Sequence, residues 1–186
     1  MKVAYTRQRL ATRVSQLGRT ISRDYAGRTL DVVVVLENSF LFGADLVREI
    51  SRPVVCHFVR SQIRDVRMGG FERREIFFSA PPAIRGRDVL VVDAVLNTGV
   101  TQDFLLKRLE EGHPRSLRLA VLFDKPAARK VNLQPTYAGF AAASKYWVGY
   151  GLSGGPHGLH RNLPYVAVSA ARSRGASRRR RGSRRG

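Results

Sequence analysis

A chain of 186 residues, 44% of them hydrophobic, suffices for one well-cored domain and is too short for two comfortable ones. The longest aliphatic run, Val32 to Leu36, falls far short of the roughly 20 residues that cross a bilayer, and MKVAYTRQRL has no apolar signal segment, so a soluble cytoplasmic protein with no membrane partner is expected. The formal net charge of +19, from 33 basic and 14 acidic residues, directs attention to polyanions.

In chain order, Thr6 to Tyr25 places Leu10, Val14, Leu17 and Ile21 on one face of a helix. Asp31 to Leu36 is an apolar strand too continuous to have a wet face, as in a parallel sheet covered on both sides. Ser39 to Ile50 reads as a helix with Phe42, Leu46, Val47 and Ile50 inward, ended by Pro53. Val54 to Val59 is a second strand; within it Cys56, the single cysteine, lies beside Val54 and Val55, which predicts a buried thiol. A short strand is expected at Glu75 to Phe78, a third aliphatic one at Val89 to Val92, and a helix from Thr101 to Leu109, stopped near Gly112 and Pro114. Leu117 to Phe123, Tyr137 to Phe140 and an edge segment at Tyr165 to Val168 complete the pattern. Alternating strands and helices predict an α/β domain over residues 1–170, its mainly parallel sheet flanked by helices and its ligands at the carboxyl ends of the strands.

The remaining residues, 171–186, differ in composition. From Arg172 to the end stand eight arginines and no acid, among them Arg178, Arg179, Arg180, Arg181, Arg184 and Arg185. Removing these eight charges from +19 leaves +11 on the body. A segment of Arg, Ser and Gly buries too little surface to offset chain entropy, so a disordered tail is expected, either a tether to RNA or DNA phosphates or a solubilising extension.

The most informative stretch is VVDAVLNTGVT, residues 91–101. Asn97, Thr98, Gly99, Val100 and Thr101 fall between the end of a strand and the start of a helix, where free backbone N–H groups and the helix dipole favour an anion. The same residues also suit an ordinary helix start capped by Thr. The histidines offer little: His157 and His160 sit three apart in GGPHGLHR without an acid to complete a metal set, and neither His57 nor His113 has an acid partner identifiable from sequence.

VLVVDAVLNTGVT resembles the phosphoribosyl-pyrophosphate motif of type I phosphoribosyltransferases. VSQLGRTISRDYAGRTL, VVVVLENSFLFGADLVREI, LFDKPAARK, YWVGYGL and HRNLPYVAV extend the likeness, in order, to the hypoxanthine-guanine branch over about residues 6–168. The resemblance implies a parallel sheet with a small hood, a homo-oligomer (dimer or tetramer), and transfer of ribose 5-phosphate from phosphoribosyl pyrophosphate (PRPP) to a 6-oxopurine with Mg2+ on the pyrophosphate. It assigns the 5′-phosphate to Thr98, Gly99 and Thr101 with the backbone of Asn97 and Val100. It assigns the purine to Lys125, Tyr146 and Trp147, and the pyrophosphate side to Arg161.

The departures fall on the chemistry. Of two adjacent acids expected to reach the ribose, Asp93 remains and the other is Ala94; the loop's proton-handling aspartate is Asn97, and an amide has no useful basicity, a loss of about 10²–10⁴-fold in acid-base help. Glu37-Asn38 replaces the Lys-Gly of the pyrophosphate loop, and an acid there repels pyrophosphate. Ser153 stands where a magnesium-ligating aspartate belongs. The lid reads RSQIRDVRMGGFERR from Arg60, with five arginines in place of a Ser-Tyr pair. These residues imply a purine nucleotide-binding protein with little transferase activity. Two alternatives stand beside it: an active salvage enzyme that makes IMP or GMP, with Asp93, Glu37 or Asp65 in a substitute role and Mg2+ as cofactor, and an RNA- or DNA-binding protein that uses the basic body, lid and tail.

Overall fold

The computed structural model describes residues 1–68, 71–79, 82–143, 146–153 and 158–168, with side chains for all of these except 62–68 and 71–78. The first helix, α1 (Arg7–Asp24), starts where Thr6 accepts a hydrogen bond from the Arg9 amide through its hydroxyl (3.3 Å) and stops at Tyr25. Its buried stripe is Leu10, Val14, Leu17 and Ile21, as the four-three-four spacing requires. Gly18 lets α2 (Phe40–Glu49) lie against it, because a Cβ there would stand 2.4 Å from Glu49 Cβ.

The main sheet contains β2 (Leu30–Leu36), β3 (Val54–Met68), β4 (Phe71–Phe78), β5 (Asp88–Leu96), β6 (Ser116–Asp124) and β7 (Tyr137–Ala141) in the order β4-β3-β2-β5-β6-β7. All neighbours run parallel except the β3–β4 hairpin. One face packs Val32, Val34, Leu90, Val92 and Leu122 under α1 and α2. The other packs Val33, Val35, Val89, Val91 and Val121 with Leu105 and Leu109 of α3 (Val100–Glu110). Two covered faces explain why these strands read as unbroken aliphatic runs, each fully buried branched side chain contributing about 1.5–3 kcal/mol. The chain leaves β2 toward β3 on one side and β5 toward β6 on the other, so the crevice between the carboxyl ends of β2 and β5 is the topological switch point.

Several expectations are corrected. Tyr165 to Val168 is not an edge: β9 (Val166–Val168) is the middle strand of a second, antiparallel sheet, flanked by β1 (Lys2–Tyr5) and β8 (Trp147–Val148), neither of which the sequence reading found. Val54 to Val59 is only the start of β3, which continues through the arginine-rich lid segment into the hairpin. Cys56 is exposed, not buried. It lies on the outermost parallel strand before β4 joins at Ser61, where Phe58 is also 62% exposed; apolar neighbours do not reveal an uncovered strand. His57 does have an acid partner, Asp31, at 2.9 Å, but the aspartate stands at the start of β2, away from the carboxyl ends. Asp31 is buried, which pushes its carboxyl up, yet hydrogen bonds from Arg87 and His57 outweigh this and hold it below its ordinary value. No helix among the described residues is long and apolar enough to cross a membrane.

Candidate active site at the carboxyl ends of the strands

The loop after β5 gathers the groups that the resemblance assigns to the phosphate. Gly99 takes φ 82°, a left-handed conformation suited to glycine, and it, not a threonine, is the N-terminal cap of α3; no side chain caps this end. The amide groups of the first turn are thereby left pointing outward beside the half-buried hydroxyl-bearing Thr98 and Thr101 and the exposed Asn97 and Val100. Arg129 supports the loop from behind. It donates from Nη1 to the Asn97 carbonyl oxygen (2.9 Å) and pairs through Nη2 with Asp124, while the Lys130 amide donates to the Thr98 carbonyl (2.9 Å). A Cβ on Gly99 would meet Val131 Cγ2 at 2.8 Å and Arg129 Cδ at 3.0 Å. Sequence reasoning missed Arg129, whose only signal is its place in the basic run after Asp124-Lys125-Pro126.

Asp93 is buried just before this loop. Its Oδ1 accepts from Ser39 Oγ (2.8 Å) and from the Ala94 amide (2.7 Å), and its Oδ2 from Gln102 Nε2 (2.7 Å). Ser39 Oγ in turn accepts from the Ala94 amide (2.9 Å). Burial raises the Asp93 carboxyl above its ordinary value, opposed by the hydrogen bonds from Gln102, Ser39 and the local backbone. Neither Ser39 nor Gln102 was singled out from sequence. Ala94 is wholly buried in the core beneath α1 and α2.

On the far side of the crevice, Glu37 and Asn38 follow β2 after a cis Leu36–Glu37 peptide. The Glu37 carboxylate lies between two cations, paired with Arg60 through Oε1 and with Arg161 Nη2 at 3.3 Å through Oε2. Arg161 also donates from Nη1 to Asn38 Oδ1 (2.8 Å) and the Gly151 carbonyl (2.7 Å). The backbone of Gly151 packs so closely on Asn38 that a Cβ would stand 2.6 Å from its carbonyl oxygen.

Lys125 leaves the end of β6, fixed by the hydrogen bond that its backbone amide donates to the Leu96 carbonyl (2.9 Å). Its Nζ stands 4.6 Å from the centre of the Trp147 ring, and burial lowers its pKa. Trp147 belongs to an aromatic cluster with Tyr5, Phe123 and Phe140, while Tyr146 beside it is 77% exposed. The fold therefore brings the loop 97–101, Lys125, Trp147, Arg161 and Glu37-Asn38 to one end of the sheet. Ser153 lies on the same segment as Trp147 and is half-buried. His157, the tail arginines and the side chains of the lid from residue 62 to 74, Asp65 among them, lie outside the described residues.

Among the described residues the donors do not make a magnesium site. Asp93 is saturated by Ser39, Gln102 and backbone, Glu37 is held by two arginines, and Ser153 offers a neutral hydroxyl. No group of three or more His, Cys, Asp or Glu side chains suited to a metal occurs among the described residues.

Comparison with known proteins places this geometry. The family described as phosphoribosyl transferase domain matches residues 4–151. A hypoxanthine-guanine phosphoribosyltransferase of Mycobacterium avium is 34% identical over 174 residues, 89% of this chain and 84% of that protein. The Dictyostelium discoideum protein of that name is 32% identical over 169 residues, 89% of this chain and 93% of the relative. The crystal structure of a hypoxanthine-guanine phosphoribosyltransferase from Bacillus anthracis matches with a TM-score of 0.80 at 30% identity, covering 90% of this chain and 96% of that one. The chain belongs to the type I phosphoribosyltransferase family, in its hypoxanthine-guanine branch.

Proposed function

We propose that the chain holds a purine nucleoside 5′-monophosphate across the switch point and that its phosphoribosyl transfer is lost or much reduced. The 5′-phosphate accepts from the amides and hydroxyls of 97–101, the Lys125 ammonium donates to the purine 6-oxygen, and Tyr146 stacks on the base, with the Trp147 backbone at its edge. The observation that carries the reading is the state of the acids beside the loop. Asp93 is the one carboxylate at positions 93, 94 and 97, and it is buried with both oxygens engaged by Ser39, Gln102 and the Ala94 amide. No carboxylate of the loop is left to take a proton from the purine or bind the ribose hydroxyls, which removes acid-base help of about 10²–10⁴-fold.

The names of the relatives favour a second reading, an active enzyme that converts a 6-oxopurine and PRPP to IMP or GMP and pyrophosphate with Mg2+. Chromatographic detection of IMP and GMP, after incubation with PRPP, magnesium and hypoxanthine or guanine, separates the two. Slow or absent turnover by the natural chain, with a gain of about 10²-fold in Asn97→Asp, is expected; robust turnover by the natural chain overturns the proposal.

A further inference from the structure

Arginines on this surface fall into two populations. Arg28, Arg48, Arg60, Arg87, Arg108, Arg115, Arg118, Arg129 and Arg161 each lie against a carboxylate. Arg9, Arg13, Arg19 and Arg23 on α1, and Arg52 beside it, pair with no carboxylate among the described residues. Their hydrogen bonds go to neutral groups instead. Arg13 donates to the Gly139 and Ala138 carbonyls, Arg19 to Ser15, Arg23 to Thr20 and Arg52 to the Ser22 carbonyl.

The arrangement along the helix is regular. Arg9, Arg13, Gln16, Thr20 and Arg23 recur at spacings of four, three, four and three, so they form one stripe on the outward side. Two shallow hollows of about 450 and 520 Å³ meet at Gln16, one bounded by Arg9 and Phe140, the other by Arg23, Ser51 and Arg52. Of the acids near α1, Asp45 and Glu49 lie on the opposite flank, in a hollow shared with Arg7 and Arg48, and Asp24, the last residue of the helix, accepts from the Tyr137 hydroxyl and pairs with Arg118. At one end Arg9 lies over the rings of Tyr5 and Phe140, 4.9 and 5.3 Å from their centres. The chain continues beyond Val168, which pairs with Lys2 near the start of α1, into the sequence of eight arginines that begins at Arg172.

We infer that this outer face of α1 is a binding surface for single-stranded RNA, separate from the nucleotide site. A row of uncompensated guanidinium groups interleaved with Thr, Gln and Ser is the chemistry that tracks a phosphate backbone, with neutral donors and acceptors for ribose 2′-hydroxyls. A guanidinium seated over aromatic rings, as Arg9 is over Tyr5 and Phe140, offers a base a cationic group on which to stack. An 18-residue helix is about 27 Å long, room for about four nucleotides, the low end of single-strand site sizes. None of the exposed large hydrophobic side chains among the described residues lies on α1 or β7, so this face offers a protein partner little apolar area to bury.

The test is fluorescence anisotropy of the full chain with a labelled single-stranded RNA of mixed sequence, over a KCl series. Arg9→Gln/Arg19→Gln/Arg23→Gln, the stripe variant, removes two charges of the stripe and that of Arg19, which lines the hollow beside it; Arg48→Gln/Lys107→Gln/Arg108→Gln removes three paired charges elsewhere and is the control for net charge. The stripe variant weakens binding about tenfold or more and lowers the slope of log affinity against log salt by about 2, three contacts at about 0.7 each, while the control changes affinity by less than about threefold. Arg19→Gln/Arg23→Gln, which leaves the Arg9 stack in place, gives about two-thirds of the slope change. GMP leaves RNA affinity unchanged. Equal weakening by the two triple variants overturns the inference, as does binding of duplex RNA, single-stranded DNA or anionic vesicles as tight as that of the RNA.

Discussion

Glu37→Gln tests how the site treats a ligand that carries pyrophosphate. In the natural chain the Glu37 carboxylate occupies both Arg60 and Arg161 at the end of β2, so an arriving pyrophosphate meets two cations already engaged by a carboxylate that cancels one of their two charges. Two effects of the substitution share a sign. Exposed ion pairs are worth about 0.2–1 kcal/mol each, and Glu37 is 51% exposed, so releasing both arginines to the ligand contributes about 1 kcal/mol. A unit charge about 6 Å from each of two ligand charges costs about 0.7 kcal/mol apiece in a water-like dielectric, and salt at physiological strength removes about half of that. The total, about 1.5–2 kcal/mol, corresponds to PRPP and pyrophosphate binding about 10–30-fold tighter. GMP, whose phosphate is proposed to sit at the 97–101 loop on the other side of the crevice, should change by less than about threefold. Isothermal titration of both proteins with PRPP, pyrophosphate and GMP reads this directly. Parallel tightening for all three ligands would show that Glu37 acts through the general field, and no change for any would refute the role given to the two arginines.

Gly99→Ala should abolish detectable GMP binding while the fold persists, because the substitution forces a Cβ onto a left-handed residue and against Val131 and Arg129; strain of this sort costs about 1–3 kcal/mol, and calorimetry with a parallel thermal melt checks both halves. Two buried aspartates should respond to pH with opposite signs. Arg115 holds the Asp88 carboxyl below its ordinary value, with Ser116 adding to this against the effect of burial, so its stabilisation is complete above the ordinary carboxylate range and fades as pH falls through the lowered value. Asp93 is raised, chiefly by burial, so its ionisation opposes folding: the penalty is full above the raised value and vanishes below the ordinary one. On acidification from neutral pH the stability difference between wild type and Asp93→Asn should move in favour of wild type, and that between wild type and Asp88→Asn against it. Denaturant titrations across the acid range check both, and parallel profiles would contradict the assignment.

Legibility from the sequence followed the range of the interactions. The limits of α1 were readable because its cap, Thr6, and its stripe from Leu10 to Ile21 are local, and β2 and β5 because burial on two faces leaves only aliphatic residues between their ends. The second sheet was not readable: β1 finds its partner in β9 more than 160 residues later, and strands of three or four residues carry too little pattern. The same limit applies to the site. Sequence and resemblance located the positions of the loop, but not the direction of the Asp93 carboxylate. That direction depends on Ser39, 54 residues earlier, and on Gln102, nine residues later, neither of which has a signature of its own. Glu37 was legible as a misplaced acid; its capture by Arg60 and Arg161 belongs to tertiary structure.

Ala94 brings these strands of argument to one residue. Restoring the second acid of the motif looks from sequence like the natural repair, yet Ala94 is wholly buried in a core cluster that also includes Leu90, Val92, Phe123 and Trp147. An aspartate there must either bury a carboxyl without a partner, at about 1–3 kcal/mol or more even when protonated, or push the strand end outward and disturb the 97–101 loop. Ala94→Asp should therefore melt about 5–10 °C below the natural chain, since each kcal/mol shifts a domain of this size by about 2–4 °C, and it should weaken GMP binding. Asn97→Asp, on an exposed loop residue, should change the melting temperature by no more than about 2 °C. If Ala94→Asp instead melts with the natural chain and raises turnover, the side chain at 94 reaches the ligand. The closure of the site around an apolar residue would then be wrong, and so would the explanation of lost chemistry that depends on it.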